Sequence, residues 1–248
     1  MSGGSTYKSA ASIAYAPTRN VYPAGTVAHF NDTFRALFID LEDWVVRNVA
    51  PPDSQVPKIA DGTLVRPDQL VFPVMKGTTW AVGGVQTPVP DFTYLARYNG
   101  FPLLDFGPQY RPQDESGIAT QLPPAYLNKD YAILVPQVDP ATGLTRSGIR
   151  GVEVQAPIGT SIEFNYVAAP GIVDLSNLTG SFIPFHRTEA ARLAAGDTRP
   201  SLESLYGSQA GYVAKVTAAA NDLVARRFLL QRDADRIIQG AVANPVLP

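Results

Sequence analysis

Proline and glycine constrain the fold of this chain more than any other feature of its sequence. The 248 residues include 22 prolines and 20 glycines, so about one residue in six is poorly suited to a helix interior or a central strand. We therefore expect short elements joined by turns and long connections. A Pro-rich stretch over residues 51–128 also carries many aromatic side chains, which disordered segments usually lack. We interpret it as an ordered segment that wraps over another surface.

The composition excludes several classes of partner. A net charge of -2 provides no electrostatic basis for binding nucleic acid or an anionic membrane surface. No apolar run approaches the length of a membrane span. The chain has no cysteine and two histidines, which argues against disulfides, thiolate chemistry and a transition-metal site. We therefore expect no nucleic-acid partner, no membrane association, no metal and no cofactor.

The clearest helical pattern follows a short strand candidate at residues 20–22 and a turn at residues 23–25. The helix is expected to begin at Asn31 or Asp32 and to stop at Pro51-Pro52. Its apolar residues recur with helical spacing, and they are Phe34, Leu37, Phe38, Leu41, Val45 and Val49. The acidic pairs Asp40/Asp43 and Asp233/Asp235 are interpreted as solvated residues on helix surfaces.

The second half of the chain predicts strands followed by helices. Residues 129–136, 149–156 and 161–168 are expected to form a small sheet. Thr188 is predicted to cap a helix that Gly196 ends, and Ser201 to cap the next. A last helix is expected over residues 233–242. The arginines of this region are interpreted as solvated side chains that pair with nearby acids rather than as a phosphate site.

Six segments, in the same order, resemble the C-terminal portion of the bacterial α/β-hydrolase domain-containing protein family. They are RALFIDLEDWV (35–45), PPDSQVPKIADGTLV (51–65), YAILVPQVDPATG (131–143), GIRGVEVQAPIG (148–159), GSFIPFHRTEAARLAAGDTRPSLESLYGSQAGYV (180–213) and LVARRFLLQRDADRII (223–238). The resemblance implies an α+β fold. Residues 1–50 would be a remnant of an α/β-hydrolase core with its last strand, histidine loop and last helix. Residues 51–128 would be the Pro-rich wrapping segment, and residues 129–248 a small sheet with a helical C-terminal tail.

The resemblance also implies a function, the C-terminal part of a serine ester hydrolase with His29 as catalytic base. Such enzymes order their triad as serine, acid and histidine. This chain has no G-x-S-x-G motif, and no Asp or Glu precedes His29. We therefore expect it to be inactive alone and to act on a small-molecule ester only when a core supplies the nucleophile and the acid. Its histidine loop reads Gly-Thr-Val-Ala-His-Phe, one residue longer than the Gly-Thr-Gln-His-Gly usual in the family.

Two alternatives stay open at the level of sequence. The chain could be a non-catalytic binding or structural module descended from a hydrolase, with His29 contacting the first turn of the helix. His186 is interpreted as a packing or solvent-exposed residue. Whether the chain is part of a hydrolase or a non-catalytic module, its last core helix would lack its sheet. We therefore expect the apolar side of this helix to promote self-association.

Overall fold

The computed structural model describes residues 30–73, 79–82, 85–88, 101–111, 118–162, 165–166, 175–177 and 181–248. The strand candidate at residues 20–22, the turn at 23–25 and His29 lie outside them. The described part mixes helices with short antiparallel strands, so the α+β class is confirmed at that level. Its helices are α1 Phe30–Arg47, α2 Val152–Gln155, α3 Glu189–Ala195, α4 Leu202–Tyr206, α5 Gln209–Ala225 and α6 Gln231–Ala243.

The described strands form five separate two-stranded antiparallel ribbons. The strands are β1 Leu64–Val65, β2 Thr79–Val82, β3 Val85–Pro88, β4 Pro102–Asp105, β5 Ala125–Asp130, β6 Val135–Pro136, β7 Gly159–Ile162, β8 Asn165–Tyr166, β9 Leu175–Asn177 and β10 Ser181–Pro184. The ribbons pair β1 with β6, β2 with β3, β4 with β5, β7 with β10, and β8 with β9. The predicted single small sheet is therefore wrong, because its strands pair with partners elsewhere in the chain.

One of the predicted strands is a helix. Residues 149–156 were expected to alternate as an edge strand, but α2 occupies the middle of this segment, and the amides of Gln155 and Ala156 donate to the carbonyls of Gly151 and Val152. Val152 and Ala156 are both buried. Residues four apart lie on one face of a strand and also on one face of a helix, so this spacing could not separate the two.

The main apolar core lies between α2, β10 and the C-terminal helices. Its fully buried members include Tyr212, Val216 and Ala220 of α5, against which α6 packs. Phe182 of β10 and Phe185, one residue beyond it, are buried in the same cluster. The burial of these two rings places this segment in the core that it shares with the tail helices.

The caps predicted for the tail helices are present. The Thr188 hydroxyl accepts the amide of Ala191 at 3.2 Å, and Gly196 ends α3 with a φ of 67°, in the left-handed region. Ser201 caps α4 by accepting the amide of Ser204 at 3.0 Å. These contacts satisfy amides that a helix leaves unpaired at its start.

Helix α1 ends earlier than predicted, and for a different reason. Its last residue is Arg47, and Asn48 follows with a φ of 57°. The amides of Asn48 and Val49 then donate back to the carbonyls of Trp44 and Asp43. This left-handed C-terminal cap turns the chain out of the helix before the two prolines are reached.

The described part of the Pro-rich segment is largely exposed. All six residues of β5 are exposed, although β5 pairs with β4. No strand forms at residues 70–73. The predicted division at residues 50 and 128 is untested and stays a prediction.

Candidate functional site

The described structure begins at the residue after the proposed catalytic histidine. His29 lies outside the described residues, and Phe30 is the first residue of α1. The described residues nearest to the histidine in the sequence are therefore those of the first turn of α1.

The first turn of α1 is joined to α6 by four charged side chains. Arg35 donates to both carboxylate oxygens of Asp233, through Nε at 3.0 Å and Nη2 at 2.7 Å. Arg236 donates to Asp32 at 2.6 Å, and Arg35 also contacts Asp32. Because the two acids are buried and each contacts both arginines, we call this arrangement the two-arginine bridge. It joins helix turns that are about 200 residues apart in sequence.

The contact between Arg35 and Asp233 favours the charged forms of both side chains. Burial alone would raise the pKa of Asp233, but hydrogen bonding and the positive charge of Arg35, with a contribution from Arg236, outweigh burial and lower it. The hydrogen bond to Asp233 raises the pKa of Arg35 against the opposing effect of burial. The expectation that Asp233 is solvated is therefore wrong, because the residue is buried and its carboxylate pairs with Arg35 of α1.

A second set of contacts holds the middle of α1 and the residues after its C-terminus on the tail. Arg227, in the turn after α5, pairs with buried Asp40 at 2.6 Å and donates to the carbonyl of Ala50 at 2.8 Å. Asp40 was expected on a solvated surface, and the structure corrects that assignment. The polar side of α1, including Asp32, Ala36 and Asp40, is thus the side buried against the tail.

The opposite side of α1 is apolar and bare. Phe34 is 57 % exposed, Phe38 68 %, Leu41 50 % and Val45 77 %. We call this surface the apolar face of α1, and it consists of Phe30, Phe34, Phe38, Leu41 and Val45. Its exposure agrees with the expectation that these side chains have an incomplete apolar neighbourhood.

The second histidine, His186, lies beside a buried ion pair. Its Nε2 is 3.7 Å from Oδ2 of Asp197, which is too long for a hydrogen bond. Both oxygens of that carboxylate instead accept from Arg199, through Nε at 3.1 Å and Nη2 at 2.8 Å. The geometry therefore assigns Asp197 to the fold rather than to orienting a catalytic imidazole.

Arg199 joins three parts of the fold. Its guanidinium also donates to Oγ1 of Thr160 in β7 at 3.0 Å and to the carbonyls of Ile183 and Pro184 in β10. The side chain is fully buried and lies over the ring of Phe185. The expectation that this arginine lies on a solvated face is therefore wrong, and nothing in its spacing to Asp197 indicated that both would be buried.

Two described serines of the tail, Ser201 and Ser208, act as helix caps. Ser201 is buried, its hydroxyl donates to Glu189 at 3.0 Å, and it accepts the amide of Ser204. Ser208, in the sequence Gly-Ser-Gln-Ala-Gly, caps α5 by accepting the amide of Gly211. It follows a helix rather than a strand, so it is not a nucleophile elbow.

The described residues contain neither a metal-binding cluster nor a membrane-spanning helix. No group of three or more His, Asp or Glu side chains there is placed to hold a metal ion. No helix of that part is long and apolar enough to cross a membrane.

Comparison with known proteins assigns a family. A family model described as alpha/beta hydrolase domain matches residues 8–239, which is most of the chain. No curated protein and no solved structure matches significantly.

Proposed function

Because the chain belongs to the alpha/beta hydrolase domain family, we propose that it forms the C-terminal part of a serine ester hydrolase. His29 is the general base in this proposal, and a core that packs on α1 carries the nucleophile and the acid. The observation that supports it is the bare apolar side of α1, a helix whose described residues follow His29 directly in the sequence. A histidine directly before a helix with one bare apolar side fits a histidine loop that leads into the last helix of a core.

The chemistry assigned to His29 is proton transfer. Its ring nitrogen takes the proton from the serine hydroxyl as the oxygen attacks the ester carbonyl, and later gives the proton to the departing alcohol. The acid of the core orients the imidazole and stabilises its charged form. The two-arginine bridge holds Asp32, three residues after the histidine, and so supports the first turn of α1. Residues 51–248 cover the core and shape a pocket for a small-molecule ester.

The chain alone is expected to be inactive. Ser201 and Ser208 both serve as helix caps, and the sequence has no G-x-S-x-G motif. We therefore expect that the chain alone does not combine a nucleophile, a base and an orienting acid.

The test compares the two histidines. The purified chain is incubated with short-chain p-nitrophenyl esters and a fluorophosphonate probe, and neither turnover nor labelling is expected. The coding sequence upstream is then determined, and any continuous open frame is expressed with the chain. In an active extended protein, His29→Ala should abolish turnover, while the matched variant His186→Ala should retain it.

Two results would contradict this proposal. One is saturable turnover by the chain alone that a single Ser→Ala change removes. The other is an active extended protein in which His29→Ala leaves turnover intact.

The competing function is a non-catalytic binding or structural module. The observation that favours it is the amount of apolar surface on α1 and on the exposed strand β5, where Tyr126 and Leu127 are about half exposed. An upstream frame without a strand, a G-x-S-x-G motif and a helix would favour this second reading.

A further inference from the structure

The apolar face of α1 has a spacing that reads the same in both directions. Four of its residues, Phe34, Phe38, Leu41 and Val45, are separated by four, three and four positions. At 100° per residue these four positions fall within an arc of about 60°. The first two side chains are phenylalanines and the last two are smaller aliphatic groups.

A symmetric pattern of this kind is complementary to itself. When two such helices run antiparallel across a twofold axis, Phe38 lies opposite Leu41 of the other copy and Phe34 lies opposite Val45. Each large ring then meets a smaller side chain, which is the alternation that allows facing layers to interdigitate. A twofold interface requires one patch to match itself in this way.

The exposed area is sufficient for a stable contact. With Trp44, which is 52 % exposed, the face leaves on the order of 800 Å² uncovered, taking about 150–250 Å² for a fully exposed aromatic side chain. The largest apolar patches of ordinary monomers are about 300–600 Å². A standard interface buries about 800 Å² on each partner. The patch thus exceeds what a monomer usually exposes and equals what a dimer needs.

The helix cannot bury this surface against the tail by turning about its own axis. Its opposite side is held on the tail by the two-arginine bridge and by the pair of Arg227 with Asp40. Turning α1 about its axis would break these ion pairs and leave buried charges without partners.

We propose that the apolar face of α1 is the interface of a symmetric dimer of this chain, in which two copies of α1 pack antiparallel. The proposal concerns the chain on its own and does not depend on hydrolase activity. A hydrolase core packing on α1 would occupy the same surface, so the dimer and the completed enzyme exclude each other.

The first test is the mass in solution by analytical ultracentrifugation. The chain at tens of micromolar should sediment at twice 26.6 kDa. Phe38→Glu places a charge at the centre of the interface twice per dimer and should raise the dimer dissociation constant about a hundredfold or more. Leu193→Glu is the matched control, since Leu193 of α3 is 64 % exposed and lies outside the interface. Circular dichroism should show both variants folded as the parent chain is.

The second test addresses the antiparallel register. Mixing the Phe38→Glu chain with the Leu41→Lys chain puts opposite charges across from each other at one of the two central pairs and keeps the native pair at the other. This mixture should form heterodimers at least about tenfold more tightly than either variant self-associates. Mixing the Phe38→Glu chain with the Val45→Lys chain, whose lysine would face Phe34, should restore dimerisation to a smaller extent.

Several outcomes would overturn the proposal. Sedimentation as a monomer at tens of micromolar would show that the apolar face of α1 does not hold two copies together, and would favour another occupant such as the hydrolase core. Open-ended polymers, or equal losses in the Phe38→Glu and Leu193→Glu variants, would show that the twofold contact through α1 is wrong. None of these outcomes depends on whether His29 is catalytic, and loss of turnover in the His29→Ala variant would not bear on the dimer.

Discussion

Replacing Arg199 by methionine should destabilise the chain far more than any exposed arginine replacement. Methionine fills much of the space of the aliphatic stem but donates no hydrogen bond. The change removes five hydrogen bonds and leaves the carboxylate of Asp197, which is 1 % exposed, without its charged partner. Breaking a buried ion pair from one side costs about 3–5 kcal/mol. We expect a loss of unfolding free energy in that range.

The assay is urea unfolding followed by circular dichroism, with Arg226→Met as the control. Arg226 pairs with Asp222 on the surface, where both side chains are more than 40 % exposed, and this loss should stay below about 1 kcal/mol. Adding Asp197→Asn to Arg199→Met should recover part of the stability, because the buried charge is then gone. A loss below about 1 kcal/mol for Arg199→Met, or a double variant no more stable than the single one, would refute this reasoning.

Three further predictions concern stability, and each is checked by the same unfolding assay. Phe182→Ala and Phe185→Ala should each cost about 3–5 kcal/mol and reduce hydrogen-exchange protection in α5; unchanged protection there would rule out an anchoring role. Gly159→Ala should be destabilising, because a Cβ at this position would lie 2.6 Å from the Phe182 ring and 2.7 Å from the carbonyl oxygen of Ile183; wild-type stability would contradict this. The lowered pKa of Asp233 contributes stability that is present above its ordinary value of 3.8 and is lost as the pH falls through the folded-state value. Asp233→Asn should therefore weaken the acid dependence of stability below about pH 4, and an unchanged dependence would argue against this contribution.

The local signals in the sequence predicted the tail well. Thr188 and Ser201 are capping residues whose hydroxyls bond within one turn, so the information for these helix starts lies in a few neighbouring residues. The strand pairing was not predictable in the same way. Residues 159–162 pair with residues 181–184 rather than with the nearer segments, and the choice depends on burying Phe182 in a core formed by helices later in the chain.

The candidate site likewise combines features that neighbouring residues determine with features that depend on distant residues. The apolar spacing of α1 predicted the helix and most of its bare side, because that pattern is local. Leu37 of the predicted stripe is instead half-buried and packs against the core. The burial of Asp32 and Asp233 could not be predicted from nearby residues, since each acid depends on an arginine about 200 positions away. One signal was present, because Asp32, Ala36 and Asp40 are spaced four residues apart and form a stripe opposite the phenylalanines. The role of His29 rests on the family resemblance and stays a prediction.

The two sides of α1 together explain why an apolar helix face can stay outward in this chain. A free amphipathic helix would bury its phenylalanines, and the burial of each is worth about 1.5–3 kcal/mol. Here the acidic stripe meets Arg236 and Arg227 of the tail, so inverting the helix would bury these acids away from their cations at a cost of several kcal/mol for each ion. The tail therefore selects the orientation of α1, and the apolar face is left for whichever surface approaches it, a second copy of the chain or a hydrolase core.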